Sequence, residues 1–297
     1  MHLTPSINTP TPIPEAISCW QLGAQLTGGR FYNLFHAVPK TGRAESQHGY
    51  VLKIVNPHLE GDDVSRAIDR LGREAMATEQ LVHPNVIRLL DAELDHAPFF
   101  LVQPWIEGKT LDRLFSRAPH LPLTRMLWVL RQIAEGVRAG HEKGRVYLGL
   151  DPSHVLLGRT GRVTLIGWSQ SHGFEERVWL PMDRLQTARY LAPECFANDY
   201  RATPASDVYS LGVLIYHALT RQAPFDGPTV DAIKQAHQDS IAEDLMFAQT
   251  NTPPRLSELV KQMLRKNPQQ RPSFNRVLDQ LISIEIEHLS DNRLIRL

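Results

Sequence analysis

Asp151 and His154 stand three residues apart in the run Gly149-Leu150-Asp151-Pro152-Ser153-His154-Val155-Leu156-Leu157, where residue types and spacing come nearest to chemistry. A carboxylate at 151 could take a proton from a hydroxyl, and equally it is a turn residue ahead of Pro152. An imidazole at 154 could face a metal, but it suits softer metals than magnesium and serves as readily as a hydrogen-bonding loop residue. Lys53, in a strand-like run, and Glu74, in a helical one, offer opposite charges that could dock a helix on a sheet. Gly28-Gly29 marks a turn where backbone could approach an anion, with Arg30 either supplying charge or lying solvated. Glu175, Glu176 and Asp183 are further carboxylates that the sequence alone does not position.

Several longer stretches place these residues in a frame. Tyr50-Val51-Leu52-Lys53 is similar to the V-A-I-K strand of the protein kinases, and Arg73-Glu74-Ala75 to the helix that follows it. His83-Pro84-Asn85-Val86 resembles the loop after that helix, and Phe99-Phe100-Leu101-Val102-Gln103 the strand leading to the hinge. Thr187-Ala188-Arg189-Tyr190-Leu191-Ala192-Pro193-Glu194 resembles the segment ending in A-P-E. Asp207-Val208-Tyr209-Ser210-Leu211-Gly212 and Asn267-Pro268-Gln269-Gln270-Arg271-Pro272 complete the set. In this order, over roughly 20–282, the chain resembles the protein kinase superfamily in its bacterial serine/threonine branch. The resemblance implies a bilobal α+β fold with a small β-rich lobe, one long helix in it, and a larger helical lobe. It also implies structural roles for Glu194, Asp207 and Arg271, with Glu194 paired to Arg271.

Phosphoryl transfer on this fold needs a carboxylate for the substrate hydroxyl, oxygen ligands for magnesium and a glycine-rich loop over the phosphates. Against H-R-D-L-K-P-x-N and D-F-G, Gly149 stands at the catalytic Asp, His154 at the Asn and Gly167 at the metal-binding Asp, with the family's spacing kept. Asp151 replaces a Lys that supports the transferred phosphate, where a carboxylate would repel it. Glycine offers magnesium no side-chain oxygen. Of L-G-x-G-x-x-G-x-V only the middle glycine survives, as Gly29. Thr27 and Tyr32 replace the outer two, and Val51 replaces a small residue over adenine. Lys53, Glu74, Gly29 and Ile106 remain at nucleotide-binding positions. Tyr147 and Trp168 supply rings to the family's regulatory column, while Leu34, Val51 and Leu156 match its apolar one. Thr187 matches a threonine that bonds the catalytic Asp, a partner absent with Gly149. The resemblance therefore implies a pseudokinase with no catalytic residue, no metal site and no cofactor, working through a protein partner such as an active kinase. Two alternatives stay open: an unorthodox active serine/threonine kinase, and a sensor that binds ATP without magnesium.

The bulk sequence agrees with a soluble, cytoplasmic expectation. It has 297 residues, 32 basic and 32 acidic, and 42% hydrophobic content, enough for a sizeable core and with no electrostatic case for nucleic acid or an anionic membrane. Its two cysteines form no C-x-x-C, and its 13 histidines show no metal-ligand spacing. The start lacks the basic and apolar regions of a signal peptide, and the apolar run around Leu211–Leu219 is too short to span a bilayer. Residues 1–16, with Pro5, Pro10, Pro12 and Pro14, read as an extended leader.

The small lobe is expected over 17–107. Its elements are a strand over His48–Asn56, a helix carrying Val64, Ala67, Ile68, Leu71, Ala75, Thr78 and Leu81 at helical spacing, and a hairpin from Asn85–Leu94 and Pro98–Glu107. The larger lobe is expected over 108–284. Stripes at Met126–Val137, Leu256–Leu264 and Phe274–Leu281 read as helices, and Asp207–Thr220 as a helix buried all round. A tail over 285–297 is expected to follow.

Overall fold

The computed structural model describes residues 14–41, 49–117, 121–178, 185–248 and 252–294. Residues 1–13 of the expected leader, His48 and Asp183 lie outside them. The chain divides into two compact units. One takes in the chain up to Ala75 together with Arg88–Ile106; the other holds Met76–Ile87 and the chain from Glu107 onward.

In the first unit six antiparallel strands form one sheet in the order β1-β2-β3-β4-β6-β5. They are β1 Ala16–Ile17, β2 Trp20–Gly28, β3 Tyr32–Pro39, β4 Tyr50–Val55, β5 Asp91–Glu93 and β6 Phe100–Pro104. Alternation along the strands sorts the side chains onto two faces. Phe35, Ala37, Leu52, Ile54, Phe100 and Val102 join Ile17 and Trp20 on one. Val55 and Leu101, on the other, pack with Phe31 and with Ala67 and Leu71 of helix α1 (Asp62–Gln80). Asp62 and Asp63 occupy the first turn of α1, where exposed amides favour acids. Residues 67, 71 and 74 form one stripe of a 3.6-residue helix, so the stripe that buries Ala67 and Leu71 also carries Glu74 to the sheet.

The expected hairpin is shorter than its apolar pattern. Only Asp91–Glu93 and Phe100–Pro104 pair as strands. The residues ahead of them serve the second unit: Ile87 donates to Leu165 O at 2.9 Å, and Asn85 O accepts from Leu165 N at 2.8 Å. The Asn85 side chain is buried and donates to Val163 O and Gln132 Oε1.

The second unit opens with β7 Gly108–Thr110, α2 Leu111–Arg117 and α3 Leu123–Glu142. There follow β8 Arg145–Val146, β9 Val155–Gly158, β10 Val163–Leu165 and β11 His172–Gly173. Strands β10-β9-β7 make one small sheet and β11-β8 another. The remaining helices are α4 Leu185–Ala188, α5 Pro204–Thr220, α6 Val230–Asp239, α7 Leu245–Ala248, α8 Pro254–Met263 and α9 Phe274–Leu294. Helix α5 is buried along nearly its whole length, as its all-round apolar sequence requires. Helix α9 runs on through the stretch expected as a tail from 285. Ile284 and Glu285 are buried, and Glu285 pairs with Arg131 of α3 at 2.6 Å. Among the described residues no helix is long and apolar enough to cross a membrane.

Packing around α5 buries His237 completely beside Phe225 and Tyr209. Its Nε2–H donates to Arg189 O at 3.1 Å, which leaves Nδ1 to accept from the Tyr209 hydroxyl at 2.9 Å. Burial, with the Lys266 charge nearby, lowers its pKa from 6.5 to about 4. Between those values the unfolded chain takes up a proton that the folded chain refuses, so this stability is whole above pH 6.5 and falls as pH drops toward 4. Urea midpoints measured from pH 7 to 4.5 should show a loss from this residue of about 2–3 kcal/mol. His237→Gln should flatten that slope while lowering stability at pH 7.

Candidate functional site

Lys53 lies on β4 between Val51 and Val55, hence on the face that meets α1. Its Nζ reaches Glu74 Oε2 at 2.6 Å, and Glu74 is only 2% exposed. The β3–β4 register puts Leu34 opposite Lys53 and Tyr32 opposite Val55, on that same face. The Tyr32 ring centre lies 4.3 Å from Lys53 Nζ, and its hydroxyl donates to Ala67 O of α1 at 2.9 Å. A side chain at the third glycine position is thus no passive obstruction. It covers the lysine.

The turn ahead of Tyr32 is tied down as well. Gly29 N donates to Tyr32 O, Asn56 Nδ2 donates to Gly29 O and Arg30 O, and Arg30 pairs with Asp63 at 2.7 Å. Arg30, read as either an anion ligand or a solvated residue, therefore braces the turn against α1. Ile106, half-buried, ends the first unit's segment.

In the second unit the loop before β9 is held from below. Asp207, fully buried on α5, accepts from Tyr147 N at 2.7 Å and Leu148 N at 2.9 Å, and its Oδ2 lies 2.8 Å from His141 Nε2. These two amide bonds hold Leu148 at φ +55, a conformation that a leucine adopts only when its surroundings enforce it. Tyr147 meets Trp168 edge to face at 4.5 Å and donates its hydroxyl to Ile166 O. Trp168 is fully buried, and a Cβ at Gly140 of α3 would lie 2.9 Å from its ring, so that glycine makes the room.

Asp151 is 4% exposed and caps the 3₁₀ turn Pro152–His154, accepting from Ser153 N at 2.7 Å and from Ser153 Oγ. His154 Nδ1 lies 2.7 Å from Gly149 O and 3.3 Å from Asp151 Oδ2. Both partners accept, so Nδ1 carries the proton. The ring then covers Gly167. A Cβ at 167 would stand 2.5 Å from His154 Cδ2 and 2.8 Å from Nε2, and Gly167 itself has φ +74. A Cβ at Gly149 would stand 3.3 Å from Gly167 O. The three positions form one close-packed contact. The residues present do not fit a magnesium ion: the two ligand positions hold a ring and a glycine, and the ring fills the glycine's side-chain space. Among the described residues no group of three or more His, Cys, Asp or Glu could hold a metal. Glu176 accepts from Gly173 N, and Glu175 O receives the Arg201 guanidinium.

Glu194 and Arg271, expected as a pair, meet bidentately at 2.6 and 2.8 Å.

This arrangement has a family. Residues 34–282 match the protein kinase domain model. The chain belongs to the protein kinase family. Among curated kinases it is 31% identical over 221 residues to serine/threonine-protein kinase PknL of Mycobacterium tuberculosis, covering 74% of this chain and 55% of that one. It is 30% identical over 210 residues to PknA of the same species, covering 69% and 48%. To PknD of Chlamydia caviae it is 27% identical over 280 residues, covering 81% and 29%. The chain spans about half the length of PknL and PknA and less of PknD. The bilobal kinase fold, with a β-rich N-lobe and a helical C-lobe, is the one expected from the motifs.

Two features escaped sequence reasoning. One is the partner set of Asp207, a bond between a helix and a loop some sixty residues apart, which no local pattern encodes. The other is the Tyr32–Lys53 contact. Its only signal was an aromatic residue where a glycine is usual, two strand positions from the residue opposite the lysine.

Proposed function

We propose that this domain is a pseudokinase: a kinase fold retained to bind and regulate a protein partner, an active serine/threonine kinase being the first candidate. The observation that carries this reading is the His154 ring seated where a side chain at 167 would project, with Gly149 closing the same contact. A magnesium-binding carboxylate and a catalytic carboxylate are absent together, and the volume of the first is filled. Asp151 adds support, because the Ser153 donors already engage its carboxylate, leaving it poorly placed to take a substrate proton. Without these groups the electrostatic terms that dominate phosphoryl transfer are missing.

The test is incubation of the domain with radiolabelled ATP, magnesium or manganese, and a generic protein acceptor. No label should transfer above that seen with Lys53→Ala. Transfer that Lys53→Ala abolishes would establish the active-kinase reading instead. A metal-independent nucleotide sensor is favoured by one observation, the intact Lys53–Glu74 pair. An ATP-induced rise in melting temperature that EDTA leaves unchanged would support it.

A further inference from the structure

We propose that Tyr32 is a built-in plug for the phosphate anchor. Its ring occupies the ammonium of Lys53 in place of a nucleotide's phosphate, and its hydroxyl keeps α1 docked beside the Lys53–Glu74 pair. The proposal takes Lys53 as the family's phosphate-pairing lysine, and it holds whether or not the domain transfers phosphate.

Four contacts converge on this arrangement, all within the first unit. Lys53 Nζ has three N–H groups. One is directed at Glu74 Oε2 at 2.6 Å, and the ammonium also lies 4.3 Å from the Tyr32 ring centre, within the range of a cation–π contact. Glu74 is almost fully buried, so its negative charge needs the lysine. A phosphate drawing Lys53 away would cost that buried carboxylate its 2.6 Å ammonium partner. The Tyr32 hydroxyl bonds Ala67 O on α1, one turn before Leu71 and two before Glu74, which fixes the ring and the helix to each other. Behind the ring, Tyr32 packs with the Phe31, Val55, Ala67, Leu71 and Leu101 cluster. The backbone leading into it is pinned by Asn56 and by the Arg30–Asp63 pair, so the ring cannot leave by a simple swing of the turn. In a kinase this lysine and the glutamate of this helix must be paired for transfer. Here Tyr32 on β3 touches both the lysine and the helix.

The experiment is isothermal titration with ATP in EDTA for the full chain, its Tyr32→Gly, Tyr32→Leu and Tyr32→Phe variants, and Tyr32→Gly/Lys53→Ala. Tyr32→Gly should bind ATP at least tenfold more tightly than the unaltered chain, and Lys53→Ala should cancel the gain. Tyr32→Phe, which keeps the ring over the ammonium, should gain less than threefold. Tyr32→Leu retains apolar bulk against Leu71 while removing the ring face, and it takes the place of Tyr32→Gly if far-UV dichroism shows that the glycine variant does not fold. ATP binding by the unaltered chain as tight as by the variants, no gain in any folded variant, or a gain that survives Lys53→Ala would each overturn the proposal. None of these outcomes reads phosphate transfer, so the pseudokinase reading stands or falls separately.

Discussion

Arg271→Ala is expected to destabilise the second unit by about 3–5 kcal/mol, the usual cost of removing one partner of a buried ion pair. The side chain is 0% exposed, and every guanidinium N–H has an acceptor. Nε donates to Arg265 O at 2.7 Å. Nη1 donates to Glu194 Oε1 and Ala205 O, and Nη2 to Glu194 Oε2 and Lys266 O. The guanidinium also lies 4.8 Å from the Tyr209 ring centre. Alanine would leave three carbonyls and a partly buried carboxylate, which keeps only the Ser206 hydroxyl among these donors, short of partners at one point, where the segment ending in Ala192-Pro193-Glu194 meets the start of α5 and the chain after α8. Arg271→Lys should recover less than half of the loss, because an ammonium cannot reproduce the planar fork. The Arg138–Glu142 pair on α3 is the contrast. It spans 3.6 Å with both side chains well exposed, so Arg138→Ala should cost under about 1 kcal/mol. Urea unfolding of the three variants, followed by tryptophan fluorescence, checks the order.

Gly167→Asp, the substitution that restores the family's metal ligand, is expected to lower stability and to confer no magnesium dependence by itself. A non-glycine residue at φ +74 carries about 1–2 kcal/mol of backbone strain. The new Cβ would also overlap the His154 ring, which the bond to Gly149 O holds in place. His154→Asn removes the outer ring atoms, Nε2 among them, and frees the smaller side chain to turn away, so it relieves much of the overlap. In a double-mutant cycle His154→Asn/Gly167→Asp should therefore be more stable than the sum of the single changes predicts, by about 1 kcal/mol or more. Melting curves of the four proteins, with and without 10 mM-range magnesium and ATP, read both outcomes. Additive stabilities, or a magnesium-dependent shift in Gly167→Asp alone, would show that His154 does not guard the position.

Much of this was legible in the chain, for identifiable reasons. Helix α1 and α5 were readable because apolar periodicity follows from what a helix must bury. Glu194 and Arg271 were readable because each sits in a motif that resembles a protein kinase segment, and the resemblance implies their pairing. The β5–β6 pairing was only half readable: Asn85 to Ile87 carry a strand-like apolar pattern yet bond to Leu165 and Gln132, far along the chain. The stretch from 285, read as a tail, continues α9, and its polar sequence gives no sign that Glu285 is buried against Arg131.

The order of residues by itself determined the kinase fold, the lysine–glutamate pair, and the absence of carboxylates at Gly149 and Gly167. Each of these is a matter of residue type at a spacing, and spacing survives without coordinates. Only the tertiary structure decided what fills the places left open: the Tyr32 ring on Lys53, the His154 ring over Gly167, and Asp151 turned to cap its own turn. Those choices depend on side-chain direction, and direction is set by strand register, by a left-handed glycine and by hydrogen-bond partners brought together from distant parts of the chain.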